Sequence, residues 1–318
     1  MSWKKNLTVL TSLAGAASIG IHLINKTIYL SATSDKNLDT NEGNYYNWKF
    51  GNIFYTKQGE GKPLLLIHDL STFSSGYEWN KLVKSLSKTN TVYTIDLLGC
   101  GRSDKPSITY TNFLYVQMLN DFIENVIEDK TDVIATGISG SFALGACHNN
   151  VEIIDKIIMI NPPSINSLSK APNSSTKLLM KMINLPLVGT LLYNLLTKET
   201  DLDLLLKEKY YSDSNKVDEK TKKIYYEAAH IGNAESKHLF ASIKGNYLTA
   251  NIPLYMEGLN NSIYIINGEE LLEQYSCSRK YEDILPSIET VEIDDAKYLP
   301  QLECPEEVLN YIHIFFEE

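Results

Sequence analysis

Arginine is nearly missing from this 318-residue chain: of 29 basic residues only Arg102 and Arg279 are arginine. Repeated phosphate contacts lean on arginine forks. With 39 acidic residues the net charge is −10, so a nucleic-acid partner is excluded. Cysteine is sparse as well. Cys100, Cys147, Cys277 and Cys304 lie far apart, without CxxC or Cys/His spacing, which excludes a disulfide scaffold and a zinc module. No metal and no cofactor is expected. Hydrophobic residues at 43% and charged residues at 21% are ordinary globular proportions and exclude a disordered chain. The length suits two average domains, or one large α/β domain with an insertion.

One long hydrophobic run is present. Lys4 and Lys5 precede an uncharged stretch from Leu7 to Ile24, closed by Asn25 and Lys26. That is near the shortest run that spans a bilayer. Ser12, Ala16 and Gly20 repeat at a spacing that permits close helix approach. Residues 1–30 therefore read as an uncleaved single-pass anchor, with the lysine pair on the cytoplasmic side and the body outside. The alternative is a cytoplasmic protein with a helical arm folded onto its body. Residues 31–44 are polar and aperiodic, as in a linker.

The body alternates between strand and helix patterns. A hairpin turning near Gly51-Asn52 is followed by buried strands at Pro63–His68, Thr91–Asp96, Asp132–Ile138 and Lys156–Ile160. Helical stretches fall around Glu78–Leu86 and over 111–128. Continuous apolar strands separated by helices predict a mostly parallel, doubly wound α/β sheet. From 163 to 252 only helical signals occur, including the apolar stretch Leu178–Leu196. Strands resume at Ser262–Ile266 and Thr290–Ile293, and an amphipathic helix covers Glu306–Phe316. The core is thus expected over 45–162 and 253–318, with 163–252 as a helical cap.

Ligand chemistry in open α/β sheets gathers at the carboxyl ends of the strands. Behind the third buried strand stands Gly137-Ile138-Ser139-Gly140-Ser141, the small-x-nucleophile-x-small spacing of a tight strand-to-helix turn. Ser139 is the nucleophile candidate. Behind the first strand comes His68-Asp69-Leu70, and behind the second Asp96-Leu97-Leu98-Gly99-Cys100-Gly101-Arg102-Ser103-Asp104. Together with the late segment Pro300–Glu306, these motifs resemble the alpha/beta-hydrolase-fold family with a helical cap.

The resemblance implies a fold, a small apolar acyl- or ester-like ligand, and a set of roles. Backbone N–H groups of Leu70 and Gly140 would form an oxyanion hole, with His68 and Asp69 in the ligand-facing loop. Asp69 stands where the family has glycine. The acid position falls on Leu271, although Glu269 or Glu270 would serve after a one-residue shift, and an alternative acid position holds Asn161. The histidine position is Tyr298. Histidines number only six, and the candidates left for a base are the cap histidines His230 and His238, His230 foremost. Two functions stay open. One is a degenerate member that binds its ligand, near a membrane surface, with little or no triad catalysis. The other is an active serine hydrolase using Ser139 and an unorthodox base.

Overall fold

In a computed structural model the chain is described over residues 2–38, 42–271 and 273–317. Eight strands form one sheet: β1 Asn44–Trp48, β2 Gly51–Gln58, β3 Lys62–Ile67, β4 Asn90–Ile95, β5 Thr131–Thr136, β6 Ile154–Ile160, β7 Ser262–Gly268 and β8 Glu289–Ile293. Their spatial order is β1-β2-β4-β3-β5-β6-β7-β8. β2 is antiparallel to both β1 and β4, and the other neighbours are parallel. The expected mostly parallel sheet is therefore present. The first hairpin turns at Lys49-Phe50 rather than at Gly51-Asn52, because Trp48 pairs with Gly51. Gly51 opens β2 at φ +146°, and a Cβ there would crowd Asp104.

Helices cover both faces. They are α1 Ser2–Ala32, α2 Val83–Leu86, α3 Asn112–Phe122 and α4 Ser139–Asn149 before the insertion. Between β6 and β7 come α5 Ile165–Leu168, α6 Ser174–Ile183, α7 Val188–Leu196, α8 Glu199–Leu205, α9 Glu219–His230, α10 Lys237–Lys244 and α11 Ile252–Met256. After β7 follow α12 Gln274–Ile284, α13 Pro300–Glu303 and α14 Pro305–Glu317. Alternation along β3 shows how the sheet divides its core. Leu65 and Ile67 pack with Phe122, Phe142 and Leu144 of α3 and α4, while Leu64 and Leu66 pack with Leu86, Val308 and Ile312 on the other face.

The helix expected around Glu78–Leu86 is split into a 3-10 turn at Gly76–Trp79 and the short α2. The loop after β4 is tied down electrostatically. Arg102 donates through Nε (2.6 Å) and Nη2 (2.9 Å) to buried Asp96, which also accepts the N–H of Gly76 at 2.7 Å. Burial pushes the Asp96 carboxyl up, and the Arg102 charge and hydrogen bonds outweigh it, so the group titrates below its ordinary value.

α1 extends two residues past the expected anchor, and its 27-residue stretch Asn6–Ala32 is long and apolar enough to cross a membrane. The side chains of Lys4 and Lys5, and residues 39–41 of the expected linker, lie outside the described residues. Part of that linker is docked. The N–H groups of Asn37 (2.6 Å) and Leu38 (3.4 Å) donate to the Glu227 carboxylate on α9, and Leu38 is buried. A polar, aperiodic stretch gives no hint of such an anchor, because its acceptor lies far along the chain.

Candidate functional site

The chain leaves β3 towards β4 and leaves β5 towards β6, in opposite directions along the sheet. The crevice at the carboxyl ends of β3 and β5 is therefore a switch point, where open α/β sheets take their ligands. Ile67 pairs with Ala135, and this register brings the loops that begin at His68 and Thr136 out side by side.

Gly137 makes the turn between β5 and α4. Its φ of +57° lies in the left-handed region, where an L side chain costs roughly 1–2 kcal/mol. A Cβ at Gly137 would fall on Asp69 Oδ1 and on the Tyr298 hydroxyl. Ser139 lies two residues further on, at the start of α4. It is fully buried, and its Oγ donates to the backbone carbonyl of His68 at 2.6 Å. The small-x-apex-x-small spacing fits this segment in two registers. Gly137-Ile138-Ser139-Gly140-Ser141 sets Ser139 at the apex; Ala135-Thr136-Gly137-Ile138-Ser139 sets Gly137 there. The left-handed backbone falls at Gly137, a signal that the sequence held without favouring it.

The N–H groups near the turn are already engaged. That of Gly140 donates to the Gly137 carbonyl at 3.2 Å. Ile138, the residue after the apex, donates its N–H to Asp69 Oδ1 at 3.2 Å, and the Leu70 N–H lies near enough to the Asp69 carboxylate to lower its pKa. In this family an oxyanion hole is built from the N–H after the apex and one from the loop following β3. Asp69 thus places its own carboxylate on that pair. The Tyr298 hydroxyl lies beside the same carboxylate, close enough to lower its pKa. Tyr298 is half-buried, and its ring stacks on Tyr210 of the insertion, centroids 5.1 Å apart.

A second buried carboxyl adjoins the first. Glu78 Oε2 accepts the N–H of Asp69 at 3.0 Å. Its Oε1 lies near the hydroxyls of Ser74 and Tyr225, close enough to lower its pKa but outside good hydrogen-bond geometry. Burial pushes Asp69 up to about 6, restrained by the neighbouring Tyr298 hydroxyl and the N–H groups of Ile138 and Leu70. Burial, and then the charge of Asp69, pushes Glu78 up to about 8. Near neutrality Glu78 holds a proton and Asp69 is largely ionised, the arrangement expected of two adjacent buried carboxyls. The sequence carried no clear sign of Glu78, Tyr210 or Tyr225 in this cluster.

The other candidates lie elsewhere. His68 is buried, with Nε2 accepting from the Leu97 N–H at 3.0 Å, so that Nδ1 carries the proton toward the Asp69 carbonyl at 2.6 Å. Both ring nitrogens are committed to backbone. His230 Nδ1 bonds the Tyr226 carbonyl at 2.8 Å, its Nε2 is buried without a hydrogen-bond partner among the described residues, and the ring packs on Tyr193 and Tyr226. None of its described contacts is with Ser139. The Glu270 side chain is exposed and faces Lys297 at 4.0 Å; its N–H donates to the Ala296 carbonyl. Leu271 donates its N–H to the Gly268 carbonyl. Asn161 holds the Tyr298 loop instead: its Nδ2 donates to the carbonyls of Lys297 and Tyr298, each at 3.0 Å. Among the described residues no cluster of His, Cys, Asp and Glu could hold a metal ion. Beside the turn lies a cavity of about 150 Å³ whose walls include Ile138, Pro163, Leu168, Ile243 and Leu248.

Residues 62–305 match the family model described as alpha/beta hydrolase fold, and the chain belongs to that family. It is 28% identical over 109 residues to a 2-hydroxy-6-oxo-6-(2'-aminophenyl)hexa-2,4-dienoic acid hydrolase of Metapseudomonas resinovorans, covering 33% of this chain and 37% of that protein. It is 28% identical over 132 residues to a soluble epoxide hydrolase of a Corynebacterium species, covering 42% and 45%. The matches thus span less than half the length of these curated relatives. Among solved structures it is similar to a bromoperoxidase from Bacillus anthracis, with TM-score 0.69, 16% identity and coverage of 87% of this chain and 100% of that one. It is also similar to a membrane phospholipase A, with TM-score 0.67, 17% identity and coverage of 99% and 98%. At such identities the solved structures bear on the fold.

Two outcomes follow from the site. Gly137→Ala is expected to destabilise the protein by about 2–4 kcal/mol in urea unfolding, from backbone strain plus collision with Asp69. Adding Asp69→Gly should recover at least about 1 kcal/mol of that loss; strictly additive effects would show that the two residues do not meet. The second outcome concerns pH. Glu78 binds its proton more tightly folded than unfolded, so its contribution to stability is fully present below about pH 4.5 and is lost as pH rises through about 8. Glu78→Gln should flatten the fall in unfolding free energy between pH 5 and pH 8, by at most on the order of 4 kcal/mol. Equal slopes in the two proteins would refute the assignment.

Proposed function

We propose that this alpha/beta hydrolase family member binds a small apolar acyl- or ester-like ligand and performs little or no triad catalysis. The reading rests on one observation above all. The residue at the apex of the turn is Gly137, with the Asp69 carboxylate and the Tyr298 hydroxyl held against it. Acyl transfer on this fold needs an activated nucleophile at the apex, a base beside it and empty N–H donors awaiting negative charge. Here the apex carries no side chain, and the hydroxyl of Ser139 is committed to a carbonyl. A phenol whose pKa is raised well above its ordinary value, by burial and then by Asp69, is a poor base at neutral pH. A carboxylate already on the N–H pair also repels a developing oxyanion. The alternative, hydrolysis by Ser139 with His230 as base, gains no support from the contacts of either residue.

Binding has a place to occur. A partly open space of about 150 Å³ beside Ile138, walled by apolar residues and by Ser167, Lys170, Asn246 and Thr249, is of the size of engineered cavities that hold one benzene ring. α1 serves in this reading as a single-pass anchor, with the body outside, and the cytoplasmic alternative leaves the ligand site unchanged.

Two measurements test the proposal. The purified protein, treated with a fluorophosphonate probe, is expected to label no more than its Ser139→Ala variant and to turn over no p-nitrophenyl ester. Labelling that disappears in Ser139→Ala would establish the serine hydrolase instead. Methyl hexanoate is expected to raise the melting temperature of the wild type and to leave Leu168→Trp, in which the cavity is filled, unshifted. The same rise in both would remove the ligand from this cavity.

A further inference from the structure

The apolar cap segment that begins at Leu178 invites the expectation that it packs against neighbouring helices. Instead much of it faces outward: Leu178 is 59% exposed, Met182 47%, Leu185 49%, Val188 55% and Leu195 47%. Soluble surfaces rarely gather large aliphatic side chains in this density. We propose that this edge of the cap rests in a lipid leaflet, so that the protein meets the membrane through the cap as well as through α1. The proposal rests on reading α1 as a membrane span.

Geometry joins the two elements. Buried Asn25 of α1 donates through Nδ2 to the Leu187 carbonyl at 3.2 Å and accepts from Asn194 Nδ2 at 3.0 Å. The exposed cap edge therefore stands where α1 meets the body. Residues 6–24, ahead of that contact, are almost entirely exposed. At 1.5 Å per residue they are about 28 Å long, close to the ~30 Å hydrocarbon thickness of a bilayer. With that segment in hydrocarbon, Asn25 sits at the interface and the cap edge beside it meets the same leaflet.

The shape of the edge suits partial insertion. α6 and the helical run Val188–Tyr210, which α7 opens, are bent by 105° at the break between Ile183 and Val188. α6 has ten residues, about 15 Å, half of what a crossing requires. The pair forms a wedge that dips into one leaflet without spanning it. Exposed Lys26 on α1, with Lys177 and Lys181 on α6, sets cations near the level at which lipid headgroups would lie, where lysine stems lie along apolar surface and their ammonium groups reach water.

The test uses the full-length chain in nanodiscs of phosphatidylcholine and phosphatidylglycerol, with and without doxyl-labelled lipid. Bimane is attached at Met182→Cys or Leu195→Cys on the wedge, Leu13→Cys in α1, or Val151→Cys in the exposed loop before β6. The unsubstituted protein corrects for labelling of native cysteines. Quenching at 182 and 195 is expected to exceed that at 151 at least threefold, with strong quenching at 13. Strong quenching at 13 with 182 and 195 at the level of 151 would overturn the cap contact while leaving the anchor intact, pointing to another occupant such as a second copy of this chain. Background quenching at 13, 182 and 195 alike would overturn the anchor and the cap contact together.

Discussion

The bond pattern around the Asp69 carboxylate organises the centre of this protein. An anion this well enclosed is costly unless polar groups face it; here the Ile138 N–H donates to it, and the Leu70 N–H and the Tyr298 hydroxyl lie close beside it. Those groups come from three separate places: the loop after β3, the turn after β5 and the segment before α13. One carboxylate thereby ties together the strand ends at which this fold normally gathers its chemistry. It also requires Gly137, since any side chain at the apex would occupy the same space.

The insertion is secured around that centre by further buried polar contacts. Glu303 accepts the N–H groups of Ser212, Asp213 and Lys297, which joins the Tyr298 segment to the insertion. Tyr210 stacks on Tyr298, and the Leu299 N–H donates to the Tyr210 carbonyl at 3.2 Å. Glu227 holds the chain that descends from α1. Each carboxylate is matched to backbone N–H groups of a distant segment, so removal of either partner would leave a buried group unsatisfied. The aromatic and carboxylate contacts gather at the turn, and the open space lies to the side of Ile138.

Much of the fold was legible because its signals are local. Leu64, Leu65, Leu66 and Ile67 form an unbroken apolar run, as a strand covered on both faces requires, and the switch to helical spacing after β6 marked the insertion. The site was legible in its parts. Tyr298 and Asp69 stood out as departures from a recognisable pattern. The register of the turn did not, because small residues at 135, 137, 139 and 141 allow two positions for the apex and local spacing has no means of choosing. Leu38 in a polar segment and the exposed face of α6 and α7 were missed because burial is a property of neighbours far along the chain.

The sequence by itself determined the order of strands and helices, the family pattern and the shortage of suitably placed histidines, since each depends on residue type and spacing alone. Tertiary structure decided that Gly137 carries the strained angle, that Asp69 turns inward onto the N–H pair, and that Ser139 bonds the His68 carbonyl. These outcomes depend on directions in space at the ends of adjacent strands. The register of β3 against β5, and the tyrosine that closes over them, are set by the packing of the whole sheet.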